Sequence, residues 1–311
     1  MPVLKPMITY AQNFEDVMLR RVFNDRNDGF YIDVGAMDPI FDSVTNYFYE
    51  QGWSGINIEP NEWFYDKLVA GRPRDINLNV AIGDREECRS LYLFEQYGNS
   101  TFDEQSRDRF AEKGYASEEK TVRVTTLDAI CRKYATRPID FLKIDCEGWE
   151  KMAIQGADWE RFRPAVVIVE ATEPGTTVPS WIEWQPILEN AQYEMVYFDG
   201  LNRFFLNRDC ENLRCHFGSP PNIFDDFRTY ATVVAQQANH ALQHERDSLA
   251  MRTAELEQKA QEDMAEIARL REELRSTQAR ATEQEQELLK SRLWVGQLSQ
   301  ELAATRRRSP R

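Results

Sequence analysis

Phe30-Tyr31-Ile32-Asp33-Val34-Gly35-Ala36-Met37-Asp38 is an apolar run that ends on a charge and turns at once through small residues. Residues 30–34 are too few for a helix and are bounded by turn signals, so they read as a buried strand. The same form recurs at residues 55–59, 77–82, 139–145 and 165–170. Segments with helical content lie among them, at 43–51, 62–70 and 147–155. Strand and helix in alternation predict an α/β fold, a mostly parallel sheet with helices on both faces. The end differs. Residues 194–198 and 203–206 flank Asp199-Gly200, the signature of an antiparallel hairpin. Residues 90–94 and 121–125 are two more short strands around a polar stretch. They read as an insertion over the carboxyl edge of the sheet, where ligands of open α/β sheets bind.

Composition narrows the function. The 311 residues carry a net charge of −14, which disfavours non-specific binding to nucleic acid or to an anionic membrane surface. No apolar run approaches the roughly 20 residues of a membrane span, and residues 1–10 lack a signal-peptide pattern. Five scattered cysteines do not form a disulfide framework, so the expected location is a reducing cytoplasm. Of three histidines, His240 and His244 fall in the C-terminal tail. The globular part is therefore not expected to use histidine as its base, which counts against zinc proteases and nucleophile–histidine triads.

From about Arg228 the chain changes character. Glycine and aromatics become scarce, and Ala, Glu, Gln, Arg and Leu, all good helix formers, take over. Leu242, Leu249 and Leu256 lie seven apart. Ala260, Ile267, Leu274, Ala281, Leu288, Val295 and Leu302 continue the repeat at the other seam position. Such a repeat predicts a left-handed coiled coil, although Arg246, Asp263, Gln284 and Ser291 interrupt the seam. A solvated single helix is the other reading. The expected divisions are a domain at 1–207, a linker at 208–227 holding Gly218-Ser219-Pro220-Pro221, a coiled coil at 228–305 and a disordered basic end at 306–311.

Three strand ends carry the chemistry. After Asp33, the small Gly35 lets backbone approach a ligand closely, and Asp33 can neutralise a cationic amino-acid arm. The three glycines of a pyrophosphate loop are missing. Some 25 residues on, Ile58-Glu59-Pro60-Asn61 places a carboxylate where it can accept hydrogen bonds from two ribose hydroxyls; Asn61 suits a helix N-cap. The third end, Asp140-Phe141-Leu142-Lys143-Ile144-Asp145-Cys146-Glu147-Gly148-Trp149-Glu150, alternates charge. Extended backbone would put Lys143, Asp145 and Glu147 on one side. An ion pair holding a strand end is the purely structural alternative.

Together with Val124-Thr125-Thr126-Leu127-Asp128, Tyr10-Ala11-Gln12-Asn13-Phe14-Glu15-Asp16 and Asn99-Ser100-Thr101, these motifs resemble the FkbM methyltransferases from about residue 8 to 206. Cys146 stands where the family often has valine. The resemblance implies a class I methyltransferase fold with a Rossmann-like sheet, S-adenosylmethionine as donor and a hydroxyl acceptor. Many members act on sugars in surface-polysaccharide pathways. By position, Asp33, Gly35 and Ala36 would hold the methionine arm, and Glu59 the ribose. The Ala81-Ile82-Gly83-Asp84 turn would hold the adenine, while Ser43, Thr45 and Gln12 close the near side. Asp145 and Glu147, with Lys143 beside them, would face the transferred methyl group, one carboxylate acting as base.

Two close carboxylates would also suit a divalent cation, but no third ligand is evident, so that reading ranks second. Cys210, Cys215 and His216 lack a second ligand pair for zinc and read as linker. Two further functions stay open. The tail could make the chain a scaffold or spacer in a glycan-assembly complex, peripheral to the inner membrane through partners, or could join copies of the chain. The acceptor could instead be a small metabolite or a protein side chain.

Overall fold

The computed structural model describes residues 6–24, 26–94 and 100–307, with side chains as far as 303. Asn99 and residues 308–311 lie outside that range, whereas 306 and 307, expected in a disordered end, continue a helix. Two compact units divide at Val234.

The first unit is built on a seven-stranded sheet. Strands β2 (Phe30–Val34) and β10 (Val166–Glu170) are buried at every residue, as strands covered on both faces must be. Between them lies β9 (Phe141–Ile144), and beyond β2 come β3 (Ser54–Ile58) and the edge strand β4 (Ile76–Leu78); all these neighbours pair in parallel. On the other side β12 (Asn202–Asn207) runs antiparallel between β10 and β11 (Tyr193–Phe198), the expected hairpin. One face packs Ile32, Ile58, Ile144 and Phe205 into a core. The other packs Tyr31, Phe48, Trp53 and Phe141, with Phe48 and Trp53 rings 4.9 Å apart.

Helices α1 (Glu15–Val22), α2 (Asn46–Glu50), α3 (Glu62–Gly71), α5 (Leu127–Tyr134), α6 (Glu150–Gln155) and α7 (Gln185–Asn190) accompany the sheet. Asn61 caps α3 by accepting the Trp63 N–H, and Thr126 caps α5 by accepting that of Ala129. Helix α2 is shorter than expected, leaving residues 43–45 in the preceding loop.

Residues 77–82 do not form one strand. Strand β4 ends at Leu78, and β5 (Ala81–Ile82) joins a second sheet beside β8 (Ser117–Thr125). The break falls at Asn79, whose side-chain amide donates to the carbonyls of Glu59 and Pro60 at 3.0 and 3.1 Å. That side chain ties the chain to the end of β3 and lets it leave the first sheet. In the second sheet β8 pairs along its length with antiparallel β6 (Glu87–Phe94), and short β7 (Ser100–Thr101) lies outside β6. Helix α4 (Glu104–Glu112) follows β7. Ala81, Leu91, Phe102 and Val124 give this insertion a core of its own.

The expected linker carries structure. Residues 208–217 form 3-10 turns that bury Phe217 against Phe204. Strand β13 (Phe227–Thr229) pairs in parallel with β1 (Met7–Thr9), and Arg21 forks onto Asp225 with 3.0 and 2.6 Å contacts. A polar sequence rich in turn residues has thus been fastened by an aromatic anchor and by bidentate ion pairs, Arg214 forking onto Glu194 as Arg21 does onto Asp225.

Helix α8 (Tyr230–Arg307) begins in the first unit and makes up the second. Leu242, Leu249, Leu256, Ile267 and Leu274 are exposed along it. No described helix is long and apolar enough to cross a membrane.

Candidate active site

Strand register assembles the site. Asp33 pairs across the sheet with Lys143 on β9, and Val34 with Ile144, so β2 and β9 deliver their charges to the same end. Lys143 Nζ stands 3.2 Å from Asp145 Oδ2 and 3.6 Å from Asp33 Oδ1, and donates to the Gly35 carbonyl at 3.3 Å. Burial pulls the Lys143 ammonium toward neutrality, but Asp145 and Asp33 outweigh it and hold the pKa above the ordinary lysine value. Burial raises Asp33, opposed by Lys143 and by the 3.0 Å hydrogen bond from Thr45 Oγ1. Ser43 Oγ lies 3.4 Å from that of Thr45 and accepts from the buried Arg72 at 3.0 Å. A polar chain therefore runs from Arg72 through Ser43 and Thr45 to Asp33, and on through Lys143 to Asp145.

Gly35 adopts φ +77°, a left-handed conformation suited to glycine, and an added β-carbon would collide with the Asp145 carbonyl oxygen. Its freedom serves first to let two strand ends close on each other, whereas the sequence pattern pointed it toward a ligand.

Beside this cluster opens a cavity with about 520 Å³ of empty space, its mouth included. Val34, Ile58, Val80, Ile82, Leu91 and Phe102 make its apolar walls, with Gly35, Glu59, Asp145 and Glu147 also lining it. Leu91 and Phe102 come from the insertion, which thus helps wall the cavity beside the strand ends.

Glu59 is 2% exposed, and its two oxygens accept from Met37 N–H and Asn61 N–H at 2.9 and 2.8 Å. Each oxygen keeps a free lone pair for a hydroxyl donor. Burial pushes this carboxyl up to about 7 against those hydrogen bonds.

The expected alternation of Lys143, Asp145 and Glu147 stops with the strand. Glu147 sits at φ +53°, left-handed for a residue with a side chain, and Thr101 Oγ1 fixes the turn by donating to its carbonyl at 2.8 Å. Such a conformation costs on the order of 1–3 kcal/mol and persists where surroundings impose it. The Glu147 carboxyl has no ion pair among the described residues; burial, then Asp145 and Glu150, raise its pKa.

Of the residues named from sequence, Gly35, Glu59, Ala81, Asp145 and Glu147 line the cavity. Asp33, Ser43, Thr45 and Lys143 form the network beneath it. Ala36 is buried next to Gly35, its N–H donating to the Ile58 carbonyl at 3.2 Å. Gly83 is buried against Val124, Asp84 is exposed and 3.6 Å from Arg85, and Gln12 is exposed in the turn after β1. The motif around Gln12 clamps the fold instead: buried Asp16 accepts from Thr9 Oγ1 at 2.6 Å and Tyr10 N–H at 2.8 Å.

Two further carboxylates emerge only in the fold. Glu150 opens α6 and accepts the N–H groups of Cys146 and Gly148, both at 3.0 Å. Glu170 ends β10 and is 8% exposed. A charge closing an apolar strand was the signal that located Asp33 and Glu59, and Glu170 carries it too.

The sequence model of the methyltransferase FkbM domain matches residues 33–195, a little over half of the chain and all three acidic strand ends of the cavity. The chain belongs to the FkbM methyltransferase family. Membership makes it a methyltransferase and implies S-adenosylmethionine as the donor. Among solved structures the FkbM chain is similar to a TehB-like SAM-dependent methyltransferase from Corynebacterium glutamicum, with 8% identity and a TM-score of 0.31. That similarity covers 62% of this chain and 88% of the other. No curated protein sequence matches it.

The residues present fit the implied donor. Glu59 can still accept two hydroxyl hydrogen bonds. Asp33 Oδ1 is buried without a hydrogen-bond partner among the described residues.

Proposed function

We propose that the chain is an S-adenosylmethionine-dependent O-methyltransferase whose acceptor is a sugar hydroxyl of a glycan or glycan precursor. The observation that carries the reading is that Glu59, Asp145 and Glu147 line one cavity. When bound, the donor supplies a methyl group on a sulfonium sulfur, which keeps the C–S bonding pair as the methyl carbon bonds to the acceptor oxygen. Glu59 orients the ribose, and Gly35 shapes the wall along the methionine arm, with Ala36 packed beside it. Asp145, held by Lys143, positions the acceptor. Glu147, free of an ion pair among the described residues, takes the hydroxyl proton. Alignment of donor and acceptor can contribute about 7–11 kcal/mol over free encounter, and the base a further 10²–10⁴-fold or so.

The long helix α8 favours a second role beside catalysis. Its apolar residues stay exposed in the single chain, and an isolated helix of mixed polarity gains stability by covering them. In this reading α8 forms a coiled coil that joins copies of the chain or docks it on partners of a glycan-assembly complex, at the cytoplasmic face of the inner membrane. A small metabolite or protein side chain is the alternative acceptor.

The test is transfer of labelled methyl to a panel of sugar glycosides, nucleotide sugars, small hydroxylated metabolites and peptides. Label in a sugar methyl ether supports the assignment. Label only in a metabolite or peptide overturns the acceptor, and no calorimetric S-adenosylmethionine binding by folded protein overturns the enzyme reading.

A further inference from the structure

Four carboxylates converge at the cavity, two of them lining it, more than the adjacent lysine can balance. Asp145, Glu147, Glu150 and Glu170 share the region with one ammonium, Lys143, which also serves Asp33. Three of them offer oxygens that all lie within 4.8 Å of one another: Asp145 past the end of β9, Glu150 at the start of α6 and Glu170 at the end of β10. Oxygens opposite each other on a bound ion, with bonds of about 2.1–2.5 Å, stand about 4–5 Å apart. The cluster therefore has the dimensions of a coordination shell.

A second observation points inward. Glu170 is 8% exposed; its carboxyl lies within hydrogen-bond reach of Asp145, and its buried Oε2 has no N–H or hydroxyl donor among the described residues. A buried carboxylate oxygen left unsatisfied is costly, and a cation is one means of satisfying it. Glu150 is built differently: its Oε1 is fixed by the Cys146 and Gly148 N–H groups, which orient the carboxylate as hydrogen bonds orient metal ligands.

We propose that Asp145, Glu150 and Glu170 form a binding site for one hard divalent cation, of the magnesium or manganese class, at the edge of the donor cavity. An all-oxygen donor set selects such ions over zinc or copper. The catalytic consequence rests on the proposed function. Asp145 belongs to both cluster and cavity, so an acceptor hydroxyl reaching the ion there would be acidified before giving its proton to Glu147. The site itself does not depend on that reading.

The experiment titrates Mn²⁺ alone into the chelator-treated full chain, without S-adenosylmethionine, and follows free ion by electron paramagnetic resonance. One ion should bind per chain and be displaced by Mg²⁺. Glu170→Gln and Glu150→Gln should each weaken binding by at least about tenfold, the scale on which even supporting residues act. The amide introduced by Glu150→Gln retains an acceptor oxygen for both backbone N–H groups, so that variant reports if Glu170→Gln does not fold. Absence of Mn²⁺ binding by folded wild type, or affinity unchanged by both substitutions, overturns the site. S-adenosylmethionine titrated into the same samples separates the two conclusions. Donor binding without Mn²⁺ binding removes the cation site and leaves the enzyme; Mn²⁺ binding without donor binding does the reverse.

Discussion

Asp145 holds its backbone carbonyl against the side of Gly35 on which any other residue would carry a β-carbon. The contact closes β2 onto β9 beneath the cavity, and Lys143 reinforces it by donating to the Gly35 carbonyl. Gly35→Ala should therefore be severe. The left-handed dihedral alone costs about 1–3 kcal/mol, and the clash adds to it. Urea unfolding should show the loss, and a midpoint within error of wild type would refute this account of the strand ends.

Glu59 should make donor binding pH-dependent. Its carboxyl, pushed up to about 7 by burial, is protonated in much of the free protein at pH 6 and ionised at pH 8. The ionised form accepts ribose hydroxyl bonds more strongly, so S-adenosylmethionine affinity should rise with pH across that window. Glu59→Gln should weaken binding by roughly 10–100-fold, the worth of a hydrogen bond to a charged group, and flatten the dependence. Calorimetry at pH 6, 7 and 8 reads both; an unchanged slope in the variant would show that another group titrates.

Glu147→Gln should lower kcat by about 10²–10⁴-fold while leaving donor affinity within a few-fold, as expected for loss of a base that does not hold the donor. Single-turnover methyl transfer measures the first and calorimetry the second. Full activity would move the base to Asp145.

Truncation sites should differ sharply. Ending the chain at Asn207 deletes Phe217, β13 and the Arg21–Asp225 pair. Loss of one buried phenylalanine alone costs about 3–5 kcal/mol, so this fragment should melt well below the full chain. Ending it at Val234, where the first unit closes, should preserve the melting temperature. Equal melting of the two fragments would mean that residues 208–229 contribute little.

The exposed seam of α8 predicts self-association. In sedimentation equilibrium the full chain should be oligomeric and the 1–234 fragment monomeric. Leu242→Lys with Leu249→Lys should dissociate the oligomer, because charge at seam positions opposes apolar packing. A monomeric full chain would favour the solvated single helix.

Local sequence alone dictates the alternation of strands and helices, the closing hairpin, the long helix and the acidic strand ends at Asp33, Glu59 and Asp145. These features are written in hydrophobic runs of strand length, in turn residues, and in a charge where a run stops. What crosses between segments is settled by the folded chain. It splits residues 77–82 between two sheets at Asn79, where a side chain finds carbonyls some twenty residues back. It buries Phe217 and pairs β13 with β1, because a polar tract shows no periodicity even when one aromatic anchors it. It turns Glu147 out of the strand's alternation through a left-handed residue held by Thr101. And it brings Glu170 to Asp145 and Glu150, since register between β10 and β9 sets that approach, which the order of residues along the chain does not express.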